Sequence, residues 1–210
     1  MRTLPLMRTA IITDIHGHYD GLLAAMADIE TCACDRTLCL GDMVDGGDGS
    51  DAVVRFLRDH DIPTVFGNHD HYNDLDLAPD VQAFIDTLPE TIVEGDALYT
   101  HISPRARQNK IADPYEAWNA FDETPARRIF VGHAHLAAIY GEQSAEFGAA
   151  TSHLIQYNHP CRLDLTDRYL ITVPAIGYSR DRIDHPRYCI YDDAQQTLEL
   201  RLLDVPCLRF

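Results

Sequence analysis

A chain of 210 residues, 46% hydrophobic and 24% charged, has the composition of a globular protein able to bury one sizeable core, and no apolar run approaches the roughly 20 residues of a membrane span. Its net charge of −16 argues against broad electrostatic binding to duplex nucleic acid or anionic lipid. A phosphate substrate stays open, because a site can carry its own cations.

The opening MRTLPLMRTA lacks the sustained apolar core and cleavage pattern of a signal peptide. Residues 1–8 read as a tail on a single domain spanning residues 1–210, with Met7 an alternative start and the cytoplasm the expected compartment. TAIITD (9–14) is a β-branched run ending in a carboxylate and predicts a first strand. YDGLLAAMADIE (19–30) follows, with Leu22, Leu23, Met26 and Ile29 at helical spacing. RTLCL (36–40) predicts a strand, SDAVVRFLRDH (50–60) a helix capped by Ser50 or Asp51, IPTVF (62–66) a third strand and VQAFIDTL (81–88) a short helix. This βαβαβ alternation implies parallel strands joined by right-handed crossovers.

Strands dominate after residue 90: TIVEG, ALYTH, RRIFVGH, AAIYG, RYLITV, RYCIYD and TLELRLL, with DPYEAWNAF as a helix between them and EGDA and DDAQQ as hairpin turns. The expected class is α/β (α+β), with two packed mixed β-sheets and helices outside. Six cysteines are scattered, and the cluster CACDRTLC lacks a fourth ligand at zinc spacing. Reduced thiols are the better reading, with Cys39 in the core.

The polar residues gather where strands end. DIH (Asp14, His16) closes the first strand and GD (Gly41, Asp42) the second. GNHD (67–70) closes the third, THIS (His101) follows ALYT, and GHAH (132–135) follows RRIFV. His16, His18, His69, His71, His101, His133 and His135, seven of the eleven histidines, fall in or beside these corners. Solvated surface histidines would have no reason to cluster so. Taken singly, Asp14 with His16 could be a strand end and helix entry, and His133 with His135 could be alternate faces of a strand. Together they form an oxygen and nitrogen donor set without thiolate, suited to Mn²⁺, Fe or Zn²⁺. The donors are too many for one ion, whereas two ions bridged by a carboxylate would use them all.

Asp-x-His, Gly-Asp, Gly-Asn-His-Asp, a lone His and Gly-His-x-His, in this order, resemble the calcineurin-like metallophosphoesterase family over roughly residues 10–193. The small bacterial and archaeal phosphodiesterase branch is the nearest match, through His101–Pro104 (H-x-SP) and the stretch beginning VPAIGYSRDR. The resemblance implies the metallophosphoesterase sandwich and two divalent cations, Mn²⁺ first, with Fe, Zn²⁺ and Ni²⁺ as alternatives. One would be held by Asp14, His16, Asp42 and His135, the other by Asp42, Asn68, His101 and His133. It also implies attack on phosphorus by a metal-bridging hydroxide, with His69 free of metal and assisting the leaving oxygen, and with Asp70 orienting His69. The branch usually reads Asn-Pro-Gly-Ser where this chain has Val173–Ile176, which puts substrate contacts at that loop in doubt.

The implied reaction is phosphoester hydrolysis on a small phosphoester or nucleotide, with phosphodiesters preferred. Phosphomonoesterases of the Ser/Thr-phosphatase or diadenosine-polyphosphatase type are the alternative. Those relatives carry a phosphate-gripping Arg where this chain has Gly46, and Glu where it has Asp70. A scaffold that keeps the fold without the chemistry is a third reading, weakened by the intact donor set. Arg105, Tyr178 and Arg180 are candidates for substrate contact. His18 is open between phosphate contact and helix start, and His71 and Tyr72 read as rim residues.

Overall fold

The computed structural model describes residues 6–105 and 109–208. Most of the expected tail therefore lies outside the described residues, but Arg8 belongs to the first strand rather than to the tail. In chain order the elements are β1 (Arg8–Ile12), α1 (Tyr19–Thr31), β2 (Arg36–Cys39), α2 (Ser50–Asp59), α3 (Asn68–His71), α4 (Pro79–Ile85), β3 (Thr91–Glu94), β4 (Ala97–Thr100), α5 (Pro114–Phe121), β5 (Arg128–Val131), β6 (Ala138–Gly141), β7 (Thr151–Ser152), β8 (Cys161–Arg162), β9 (Tyr169–Thr172), β10 (Arg187–Asp192) and β11 (Thr197–Leu202). They form two sheets, β2-β1-β10-β11-β8 and β3-β4-β5-β9-β6-β7. Both are mixed. β1 and β2 run parallel, as do β4, β5 and β9, while the remaining pairs are antiparallel.

The period-two alternation of side chains sorts the core into layers. Ala10 and Ile12 of β1, with Tyr188 and Ile190 of β10, meet Leu22 of α1, Val53 and Leu57 of α2, and Val81 and Ile85 of α4. Their strand neighbours Ile11, Cys189 and Tyr191 point the other way, onto Tyr99, Phe130 and Ile171 of the second sheet. On that sheet's outer face Leu98, Ile129 and Val131 pack on Ala117 and Phe121 of α5. The order is helices, sheet, sheet, helix. Asp113 caps α5 by accepting hydrogen bonds from Tyr115 and Glu116 N–H, both at 2.9 Å, and Pro114 occupies the first turn.

The expected third strand is reduced to one parallel bridge, Cys39 with Thr64. Cys39 N–H donates to Pro63 O and Val65 N–H to Cys39 O, at 2.9 and 3.0 Å. Pro63 has no N–H to extend the ladder, and Phe66 N–H already turns to Pro89 O. Residues 173–176, whose apolar sequence put substrate contacts in doubt, face the interior. Val173, Ala175 and Ile176 are buried, and Ile176 and Gly177 N–H donate to Thr13 and Asp14 O. This segment is core that buttresses the end of β1. The hairpins at EGDA and DDAQQ form in the expected register, Glu94 opposite Ala97 and Asp192 opposite Thr197. β7 and β8, two residues each, have no pattern long enough to show in sequence. No helix among the described residues is long and apolar enough to cross a membrane.

Backbone approach at the strand ends is close. At Gly41, with φ +90°, an added Cβ would stand 2.4 Å from Gly67 N. At Gly95, φ +59°, it would meet nothing within 4 Å. Gly95→Ala should cost only the left-handed backbone penalty of about 1–2 kcal/mol. Gly41→Ala adds a clash with backbone, and about 2–4 kcal/mol is expected in urea unfolding. Equal losses at the two sites would show that the close approach carries no weight.

Candidate metal centre

Parallel strands deliver their carboxyl ends to one edge, and there the chain turns sharply. Asp14, His16, Asp42, His133 and His135 all adopt positive φ, between 51° and 61°. Such backbone is rare and costly for residues with a Cβ, and clusters where geometry is imposed for function. The turns are tied together by the backbone: Asp14 N–H donates to Gly41 O, His16 N–H to Asp42 O and Gly132 N–H to His101 O, at 2.8–3.0 Å. Gly132 is needed for packing, since a Cβ there would stand 2.9 Å from Asp14 Oδ2 and closer still to Thr13 Oγ1.

Two groups of donor atoms result, each within 4.8 Å: Asp14, His16, Asp42 and His135, and Asp42, His101 and His133. Asp42 belongs to both. The hydrogen bonds around them leave particular atoms free. Asp14 Oδ2 accepts from Thr13 Oγ1 at 2.8 Å and from His133 N–H at 3.0 Å, which leaves Oδ1. Asp42 Oδ1 accepts from His69 N–H at 2.8 Å, which leaves Oδ2. His16, His101 and His135 each use Nδ1 on a backbone carbonyl, of Asp45, Leu40 and Tyr178 respectively, at 2.6–2.8 Å. That contact places the proton on Nδ1 and turns the Nε2 lone pair inward.

Among the described residues seven buried side-chain polar atoms lack a hydrogen-bond partner, and four are Asp14 Oδ1, Asp42 Oδ2, Asn68 Oδ1 and His101 Nε2. His16 Nε2 and His135 Nε2 face each other at 3.2 Å, an arrangement of two lone pairs that a cation between them would relieve. His101 Nε2 and His135 Nε2 lie 3.1 and 3.0 Å from Asp42 Oδ2 and Asp14 Oδ1. Orphaned carboxylate and imidazole atoms converging in this way, with the unpartnered Asn68 amide oxygen, fit divalent cations by donor chemistry. All seven residues expected to hold metal are thus among the atoms that converge or stand unpartnered.

The electrostatics have the same origin. Burial pushes the Asp14 and Asp42 carboxyls up, but the surrounding imidazoles, His135 foremost for Asp14 and His101 for Asp42, hold both below the usual carboxylate range. Burial pulls His101 down, yet Asp42 and then Asp14 overcome it and raise the ring to about 9. His133 is depressed to about 4 by burial and by His101. Without a cation, a proton on His101 is the substitute positive charge.

Asp70 requires a correction. Its carboxylate does not reach the His69 imidazole. It accepts from the N–H groups of Gly67, Asp42 and Met43 at 2.7–2.9 Å. α3 starts at Asn68, so Asp70 faces back to the start of its own helix and organises the turn carrying Asp42. The His69 ring is held by Asp45 instead, Nδ1 to Oδ2 at 2.7 Å, and stands edge-on to His16 with centroids 5.0 Å apart. Asp45 was missed because GDMVDGG offers no periodicity to show which acid turns inward; its spacing of three from Asp42 was the one available signal.

The remaining candidates separate. His18 stands at the N-cap of α1 without a side-chain capping bond, and its Nε2 meets Pro206 O at 3.1 Å. The Tyr178 ring lies against His16 and His135, with centroids at 4.7 and 4.4 Å. Arg180 reaches His133 O at 3.4 Å. Arg105 is paired with Glu116 at 2.5 Å and lines a cleft of about 840 Å³ that also includes Asn68 and His101.

The calcineurin-like phosphoesterase family model matches residues 7–169, a span that includes every residue of both donor groups. An uncharacterized protein of Methanocaldococcus jannaschii is 27% identical over 219 residues, covering 91% of this chain and 85% of its own. The crystal structure of a metallophosphoesterase from Sphaerobacter thermophilus superposes with a TM-score of 0.85 at 25% identity, over 94% of this chain and 89% of that one. A symmetrical bis(5'-nucleosyl)-tetraphosphatase of Klebsiella pneumoniae is 42% identical over 67 residues, 30% of this chain and 24% of that protein.

The charge balance predicts how the centre loads. A ligand His101 must shed its Nε2 proton, and below about 9 that proton is increasingly present. Apparent affinity for Mn²⁺ should therefore weaken as pH falls from 9 to 6, with protons released on binding. Calorimetry at pH 7.5 in two buffers of different ionisation enthalpy measures that release. Loading without proton release would contradict the assignment of His101.

Proposed function

The chain belongs to the calcineurin-like phosphoesterase family, and from that footing we propose that it hydrolyses phosphoesters at a centre of two divalent cations, with diesters preferred. The observation that carries this reading is the pair of donor groups that share Asp42, with Asp14 Oδ1, Asp42 Oδ2, Asn68 Oδ1 and His101 Nε2 buried and unpartnered. Asp14, His16, Asp42 and His135 would hold one cation, and Asp42, Asn68, His101 and His133 the other. The oxygen and nitrogen donors suit Mn²⁺, Fe or Zn²⁺, and the resemblance to the family puts Mn²⁺ first. When bound, the cations supply Lewis acidity, polarising phosphoryl oxygens and making water acidic enough to react near neutral pH.

The chain's own groups do the rest. His69 is 29% exposed at its side chain, so it is open to substrate while its ring is fixed by Asp45. With Nδ1–H given to Asp45, Nε2 is the atom left to hydrogen bond or protonate a departing oxygen. Asp70 holds the Asp42 turn in place and does not touch substrate. The preference for diesters rests on Gly46, next to Asp45, which offers no side-chain cation for the extra charge of a monoester. The local likeness to the Klebsiella enzyme favours a second reading, cleavage of dinucleoside polyphosphates, and a shared substrate panel separates the two.

With Mn²⁺ present, kcat/KM for bis(p-nitrophenyl) phosphate should exceed that for p-nitrophenyl phosphate; a monoester preference across several leaving groups would overturn the diester assignment. His69→Asn should lower kcat by about 10²–10⁴ on alkyl leaving groups and by much less on nitrophenolate, with metal content unchanged. Asp45→Asn should follow the same leaving-group dependence. Asp70→Asn should instead lower stability and metal retention, with a loss of rate that ignores leaving-group pKa. If Asp70→Asn tracked leaving-group pKa and Asp45→Asn did not, the roles given to the two acids would be reversed.

A further inference from the structure

The loop between β9 and β10 carries a charge that the metal centre does not use. Arg180 is exposed and donates to His133 O at 3.4 Å, and its charge bears on the His133 ring and the Tyr178 hydroxyl. Most arginines among the described residues are paired with a carboxylate, whereas Arg180 has no such partner among them. Other arginines also lack a carboxylate, but among the described residues Arg180 alone hydrogen bonds to a candidate metal ligand. Its neighbours on both sides are pinned. Arg187, fully buried, donates to Asp181 Oδ2 and Ser179 Oγ, both at 2.7 Å, and to Tyr157 Oη at 3.0 Å. Asp181 Oδ1 closes the turn by accepting from Ile183 N–H at 2.9 Å. One residue upstream of Ser179, Tyr178 O accepts from His135 Nδ1 at 2.8 Å.

A buried guanidinium is costly to keep, and more so when its Nε finds no partner. Here it holds the two residues that flank an exposed arginine, an arrangement that fixes the direction in which Arg180 leaves the backbone. Beside His133, a donor for one of the proposed cations, an unpaired guanidinium is repelled by like charge unless an anion lies between them. We propose that Arg180 grips an oxygen of the substrate's phosphoryl group, and that Arg187 is the positioning residue that aims it through Ser179 and Asp181. The inference rests on the phosphoesterase reading for the identity of the anion and deepens it by naming the side chain that meets it. Part of the guanidinium's donor fork is taken by His133 O, so the contact is to one oxygen. Monoesters and diesters both present such an oxygen, and the preference argued from Gly46 is unchanged.

The test is calorimetric titration of the Mn²⁺-loaded protein with inorganic phosphate, beside kcat/KM for bis(p-nitrophenyl) phosphate and metal content. A hydrogen bond to a charged group changes affinity by about 10-fold or more. Arg180→Ala should weaken phosphate binding and lower kcat/KM by at least that figure with metal content unchanged, and added guanidinium ion should restore part of both. Ser179→Ala removes one bond of the clasp and leaves Arg187 paired with Asp181. It should weaken phosphate binding in the wild type and add nothing in the Arg180→Ala background. Equal phosphate binding by wild type and Arg180→Ala, or no binding by either, overturns the contact, and so does a loss that comes with lost metal. No effect of Ser179→Ala, or the same loss in both backgrounds, overturns the positioning role. If the wild type cleaves no ester, the phosphoesterase reading fails, yet phosphate binding that depends on Arg180 still supports the contact.

Discussion

Asp14 and Asp42 are carboxylates with no exposure to water, and their free oxygens lie within 4.8 Å of the imidazole nitrogens around them. Removing such charges from water costs several kcal/mol each unless positive charge is returned to them. No Lys or Arg among the described residues forms an ion pair with either one. Among the described residues their ion-pair partners are histidines, and His16, His101 and His135 spend Nδ1–H on backbone carbonyls. The geometry thus concentrates negative charge and lone pairs in one place and leaves the compensating charge to come from outside. Much of the surrounding structure follows from this. The positive φ at five candidate ligands, the missing Cβ at Gly132 and the backbone N–H groups gripping Asp70 all serve to hold donors where they would not rest of their own accord.

How much of this was legible in the sequence depends on the range of the interaction. Asp14, His16, Asp42, Asn68, His101, His133 and His135 could be read as candidates because each follows a run with the pattern of a strand, and the parallel pairs β1–β2 and β4–β5 bring most of those ends together. The helices α1, α2 and α5 were equally plain, each with an apolar stripe or a cap. The third strand failed because Pro63 stops its ladder after a single bridge, an effect of one missing N–H inside an otherwise convincing run. At Val173–Ile176 the sequence showed only a departure from the relatives' pattern that put substrate contacts in doubt; where its apolar residues go, into core beneath β1, depends on packing that no local pattern displays.

Asp45 and Asp70 show the limit most clearly. Both are acids near a histidine in sequence or space, and which of them takes the imidazole depends on the direction of a turn. Asp70 lies one residue from His69, but successive helical residues diverge, and its oxygens are already taken by backbone N–H groups. Asp45 is distant in sequence and arrives through the loop that also supplies the carbonyl for His16. One loop thereby fixes a candidate metal donor and a candidate proton donor together, so a change in its path would disturb both.

The central claim is that Asp42 stands between two cations. Anomalous diffraction from crystals of the Mn²⁺-loaded protein, collected above the manganese edge, tests it directly. Two peaks are expected, sharing Asp42 Oδ2, one beside Asp14, His16 and His135 and the other beside Asn68, His101 and His133. A single peak at full loading, or a peak coordinated by His69, would contradict the account.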